Sequence, residues 1–128
     1  MPHCKPEDLP STLERWPTSK ESYQAAAWGD MEVSYALVPQ PLDCTSFLEG
    51  SGHKTCICPH YGYILEGKIR ATYPGTDLPD EVASAGDAYY FPAGHVLIYE
   101  ARTRSLDFSP GDAFRQVMDM AERRSQRA

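Results

Sequence analysis

No apolar run in this chain approaches the length of a membrane-spanning helix, and its start, MPHCKPEDLP, lacks the apolar segment of a signal peptide. A membrane protein is therefore not indicated, and a cytoplasmic location is the expectation. Positive charge is also short: twelve Lys and Arg stand against eighteen Asp and Glu, a formal net charge of −6. That balance argues against broad electrostatic binding to nucleic acid or anionic lipid. The one basic cluster, Arg123, Arg124 and Arg127, suits the end of a helix followed by a solvated tail. Cysteine is scarce, with Cys4, Cys44, Cys56 and Cys58. In a reducing compartment these are expected as free thiols or metal ligands rather than disulfides. Internal repeats and low-complexity segments are missing as well.

What is present fits one globular domain. The 128 residues suffice for one sizeable core, and 41% hydrophobic with 23% charged residues is close to the globular average. Residues 1–30 are expected as an N-terminal arm, with a helical turn near Thr12 to Trp16 and with Trp16 and Leu13 holding it to the body. His3 and Cys4 are read as disordered in it. From Met31, short runs punctuated by Gly or Pro read as strands: MEVSYALV, LDCTSFL, Thr55 to Leu65, KIRATY, EVASA, AYYF, HVLIYEA and SLDFS. PGTDLPD, from Pro74 to Asp80, is turn chemistry at an exposed tip. Strands of this length and spacing indicate an all-β antiparallel sandwich or barrel. After Ser109-Pro110-Gly111-Asp112 the pattern changes: Phe114, Val117, Met118 and Ala121 recur at helical spacing, so residues 110–128 are expected as a C-terminal helix on the barrel exterior or on a partner subunit.

The candidate chemistry lies in CICPHYGYILEG, where Cys56, Cys58 and His60 alternate. Alternate residues share one face of a strand, and Pro59 can supply a bend that lets residues four apart converge. Thiolate and imidazole together favour zinc over magnesium or calcium, with iron or copper as further choices. Strand parity turns Tyr99 inward and Tyr61 and Tyr63 outward. The alternative is that both cysteines are buried thiols and His60 a hydrogen-bonded core residue; Lys54 is read as plain surface ahead of a catalytic amine.

Two stretches resemble the cupins, small double-stranded β-helix barrels of the jelly-roll type. The first cupin motif is a histidine, any residue, a histidine, three or four residues, a glutamate, six residues and a glycine. Anchored on Gly67, it puts His60 at the acid position and Lys54 and Cys56 at the histidine positions. The second is glycine, five residues, proline, one residue, glycine, two residues and a histidine. Gly86, Pro92 and Gly94 in GDAYYFPAGH match it, Leu97 takes the last position, and His95 stands two residues earlier.

The resemblance implies a barrel over residues 31–109 that binds a small organic molecule beside a divalent metal, zinc preferred and iron second. Cys56 and His60 would be its ligands, joined by Cys58 and His95. It implies a metal-dependent enzyme, an isomerase, cyclase, hydrolase, lyase or dioxygenase, in which His95 or Tyr99 moves a proton, and it implies a homodimer. The competing expectation is a metal-free barrel that senses or carries a ligand.

Overall fold

In the computed structural model, residues 3–10, 22–45, 55–114 and 116 are described. Among these, nine strands form two antiparallel sheets: β1 Ser22–Trp28, β2 Met31–Val38, β3 Leu42–Asp43, β4 His60–Glu66, β5 Lys68–Thr72, β6 Glu81–Ser84, β7 Ala88–Phe91, β8 Val96–Tyr99 and β9 Thr103–Pro110. The larger sheet runs β1-β2-β9-β4-β7 and the smaller β3-β8-β5-β6. Chain neighbours are often not sheet neighbours, as when β4 pairs with both β7 and β9, and this crossing connectivity is that of a jelly roll.

Glycines set the corners. Gly67, between β4 and β5, has φ of 93°, and a Cβ there would collide with the carbonyl of Arg102 and with Thr103. Only glycine combines that left-handed backbone with so close an approach to β9.

Alternation along the strands decides what faces inward. On β4, Tyr61 and Tyr63 point out and stay exposed, as parity expects, while Ile64 is fully buried. Ile64 joins Ile69, Ala71, Tyr73, Ala83 and Phe91 in one apolar cluster, with Leu97 and Tyr99 packed against it. Tyr99 thus faces the interior, in line with its parity. On β9 the inward row is polar: Thr103, Ser105, Asp107 and Ser109, of which all but Asp107 are buried.

Residues 1–30, expected as an arm, do more than that. Ser22–Trp28 form the edge strand β1, in register with β2 from Ser22↔Leu37 to Trp28↔Met31. Its run of alanines gives little amphipathic signal, so pairing with β2 rather than pattern makes the strand. The preceding stretch covers the outer face of β2, where Leu9 is buried with Val33 and Tyr35, and Cys4 packs against them. Cys4 is therefore anchored, not disordered, because Gln24 Nε2 donates to the carbonyls of Glu7 and Leu9 and holds the segment down.

Three sequence-based boundaries shift. LDCTSFL is a strand only over Leu42–Asp43 among the described residues. Thr55 to Leu65 is not one strand: Cys56 makes an isolated bridge to His95, and β4 begins at His60. Pro59 accounts for the break, since it has no N–H to donate to a ladder. At the other end β9 runs through Pro110 and helical residues start at 111. There Phe114 packs on Ala25, Ala36, Cys56 and Cys58, so the start of the helix closes the barrel wall rather than lying apart from it. The turn near Thr12 to Trp16, Lys54, and the helix beyond residue 116 with its arginines lie outside the described residues.

Candidate metal centre

Three of the four expected ligands come together. Cys56 Sγ, one ring nitrogen of His60 and one of His95 all lie within 4.8 Å of one another. Each arrives by a different route. The Cys56↔His95 bridge, with Cys56 N–H donating to the His95 carbonyl at 2.8 Å and Gly94 N–H to the Cys56 carbonyl at 2.8 Å, clamps those two side by side. His60 opens β4 just after Pro59, and its ring centroid sits 4.8 Å from that of His95.

Hydrogen bonds fix which nitrogens face the shared space. His95 Nδ1 lies 2.8 Å from the carbonyl of Pro92, which can only accept, so Nδ1 carries the proton and Nε2 the lone pair. That Nε2 is buried with no hydrogen-bond partner among the described residues. His60 Nδ1 lies 3.0 Å from Ser109 Oγ, and its Nε2 lies 3.8 Å from Cys56 Sγ. Both imidazoles are thus held by one nitrogen and present the other, the arrangement in which a second partner orients a metal-ligating histidine.

Protonation follows from burial. It pushes the Cys56 thiol up to about 11, only partly offset by a hydrogen bond from the Cys58 backbone. It pulls His60 down to about 3, helped by the charge His95 would carry if protonated. It lowers His95 too, against the opposing effect of the Pro92 and Phe91 carbonyls. At neutral pH the trio is one thiol and two neutral imidazoles.

This donor set fits an ion. Zn–N and Zn–S bonds of the usual lengths put ligand atoms roughly 3.4–3.7 Å apart in a tetrahedral site. The Cys56–His60 separation of 3.8 Å is just above that range. The widest separation, at most 4.8 Å, closes by about 1 Å with small side-chain rotations on that scale. A buried imidazole nitrogen with a lone pair and no donor is otherwise a cost of about 1–3 kcal/mol, which an ion would remove.

Cys58 stands outside this group. Its thiol donates to the Pro59 carbonyl at 3.4 Å and is fully buried against Ala25, Ala36 and Phe114. Burial and the neighbouring Cys56 push it up to about 12. The alternation that placed Cys58 beside Cys56 and His60 assumed an extended strand, and the chain there is not one. Tyr99 lies deeper, against the apolar cluster, close enough that its charge would raise Tyr89.

Sequence reading missed Asp107 and took Tyr89, one of several strand phenols able to orient a ligand only if turned inward, as packing. Tyr89 donates a hydrogen bond to Asp107 Oδ1 over Gly62, whose missing side chain makes the room: a Cβ there would lie 2.5 Å from both partners. Burial pushes Asp107 up to about 7, against the pull of the Tyr89 hydroxyl. The only sequence signal was the period-2 polarity of Thr103, Ser105, Asp107 and Ser109.

No family model matches this chain, and no curated protein does. Solved structures do match. The polyketide cyclase RemF from Streptomyces resistomycificus is 15% identical, covering 87% of this chain and 80% of its own, at a TM-score of 0.58. The Clostridium difficile EutQ protein is 11% identical over 86% and 80%, at 0.55. A cupin superfamily protein from Desulfitobacterium hafniense DCB-2 is 15% identical over 72% and 78%, at 0.54. At such identities the likeness is one of fold: the chain has the cupin β-barrel fold, with a Cys/His/His group inside it able to hold a metal. None of its described helical residues forms a span long and apolar enough to cross a membrane.

Proposed function

We propose that this barrel is a metal-dependent enzyme acting on a small organic molecule, with a divalent ion, zinc before iron, held by Cys56, His60 and His95. The observation that carries the reading is the convergence of Cys56 Sγ with a ring nitrogen each of His60 and His95, together with a buried His95 Nε2 that has no hydrogen-bond partner among the described residues. Zinc heads the order because one thiolate with two imidazoles is a borderline-soft set, and three protein ligands leave a position open for a ligand. Iron stays second, a place supported by the solved Fe(II) form of HppE, which shares the fold at a TM-score of 0.54.

A bound ion would supply Lewis-acid polarisation of a ligand oxygen, the chemistry of isomerases, cyclases and lyases. The chain's own residues do the rest. Cys56 would hold the ion as a thiolate, its proton released to solvent on binding. Ser109 and the Pro92 carbonyl fix the two rings. Phe91, buried and 6.2 Å from His95 by ring centroids, packs its ring beside the site. With Nδ1 committed to Pro92, His95 Nε2 either binds an ion or moves a proton; the trio favours ligation and leaves proton transfer to Tyr99.

The second reading, a metal-free barrel that binds a ligand without turning it over, is favoured by the packing of Cys56 and Cys58 into an apolar cluster with Ala25, Ala36 and Phe114. Metal analysis of protein purified without a metal-affinity tag separates the two. Stoichiometric zinc or iron, lost on Cys56→Ala or His95→Ala, supports the first. A metal-free protein with freely titratable thiols at Cys56 and Cys58 overturns it.

Pairing of two copies through the outer sheet is part of the proposal. Its support is the exposed aromatic face of Tyr61, Tyr63, Tyr90 and Phe108, with Tyr61 and Tyr90 stacked at 4.8 Å. Light scattering giving a mass of one chain would remove it.

A further inference from the structure

We propose that Asp107 and Tyr89 form a second polar subsite of the barrel, which binds a hydrogen-bond-donating group of the ligand, a hydroxyl or a protonated amine. This rests on the ion-binding reading above, since the ion would hold the ligand's other end.

Three observations place the subsite. The inward row of β9 is polar throughout, yet its members have different employment. Thr103 Oγ1 bonds to the backbone of Lys68 and Ala101, and Ser109 holds His60. Asp107 has a single hydrogen bond among the described residues, from the neutral Tyr89 hydroxyl to Oδ1. Arginines that could neutralise it are committed elsewhere: Arg102 and Arg104 pair with Glu66, and Arg70 with Asp80 and Glu100. A carboxyl turned into a barrel, with one donor and no cation among the described residues, has acceptor capacity to spare, and its second oxygen can only accept from a donor or hold a proton.

The second observation is Gly62, which pairs with both Asp107 and Tyr89 across β4. Any side chain there would expel the carboxyl and the phenol ring together. The third is spacing. Gly62 follows His60 on the same inward row, so the subsite lies about 7 Å along the strand from the proposed ion, the rise of two extended residues. A ligand joining the two needs a metal-binding atom at one end and a donor a few bonds away. An acceptor such as a carboxylate or phosphate would meet Asp107 as a like charge.

The test uses the full chain loaded with cobalt, whose visible bands report ligation. Probes are aminothiols and mercaptoalcohols of two to four carbons, each compared with the alkanethiol of equal length. The expected result is that at one length a donor-bearing thiol binds at least tenfold tighter than its alkanethiol. Asp107→Asn should reduce that preference to threefold or less with cobalt content unchanged. The amine and hydroxyl series distinguish the two donors. Equal affinity for all three series, or a preference that survives Asp107→Asn, overturns the subsite.

A second measurement needs no ion. In metal-free protein Asp107→Asn should leave the melting temperature unchanged or raise it, because a carboxyl without a cation is replaced by a neutral isostere. A fall of more than about 3 °C, the scale of a lost interaction in a domain this size, would mean the acid is already paired within the fold, and overturns the subsite. Failure of the wild-type protein to take up cobalt would overturn the ion alone, and the melting comparison would still decide the subsite.

Discussion

The two halves of the barrel interior are built on the same strands and do opposite things. At one end of β4's inward row Ile64 sits fully buried with Ile69, Ala71, Tyr73, Ala83 and Phe91, a closed apolar cluster. At the other end His60 and Gly62 face Cys56, His95, Ser109, Asp107 and Tyr89. The first half gains from every group it buries. Among the described residues, the second buries an imidazole nitrogen with no partner and keeps a carboxyl without a cation. Such groups cost stability unless something else satisfies them, so the contrast separates the part that holds the fold from the part that serves a ligand.

The largest effect should come from the closed half. Ile64→Ala should cost about 2–5 kcal/mol of stability, the range for a large-to-small change in a packed core, while the protein that remains folded binds as much zinc as before. Denaturant melts combined with metal analysis check this, and loss of metal in step with stability would erase the division between the halves.

His95→Ala should show the reverse. Zinc affinity should fall by more than the roughly 100-fold that outer partners alone can cost, while metal-free stability changes less than in Ile64→Ala. Ser109→Ala, which frees one nitrogen of His60, should weaken zinc by about 10–100-fold without abolishing it. Competition with a chelator of known affinity measures both.

The dependence on pH sharpens the comparison further. Between pH 7 and 8 both imidazoles are already neutral and only Cys56, at about 11, must lose a proton to ligate. Apparent zinc affinity should then rise about tenfold per pH unit, one proton released per ion. A rise of a hundredfold per unit would bring Cys58 into the site. In metal-free protein Asp107, at about 7 when folded, adds stability as pH falls, and His60 opposes it. The folded His60 value of about 3 lies below the ordinary 6.5, so the unfolded chain takes up the proton first as pH falls. The His60 contribution therefore falls through that window, so the melting temperature of His60→Gln, relative to its own value at pH 7, should rise above the wild-type curve as pH falls. The smallest effect belongs to Cys58→Ser, which should leave zinc stoichiometry and affinity unaltered.

Much of the fold was legible because turns and alternation are local. Gly67, Gly86 and Gly94 all adopt positive φ at the corners where the cupin-like motifs put them. The outward turn of Tyr61 and Tyr63 followed from parity, as did the inward turn of Tyr99. β1 was not legible, since SYQAAAW carries no contrast between faces and becomes a strand by pairing with β2. Within the site, Cys56 and His60 stood out by residue type and spacing, whereas Asp107 and Ser109 looked like ordinary polar residues of a half-exposed strand.

By itself the sequence determined where the chain turns, which residues share a strand face, and that thiols and imidazoles gather near Pro59. Only the tertiary structure decided that Cys56 rather than Cys58 meets the two histidines, and that Asp107 lies against Tyr89 over Gly62. The physical reason is the same in both cases. A period of two fixes the face a side chain takes, but the partner it finds there depends on which distant strands cross, and no local pattern encodes the bridge from Cys56 to His95.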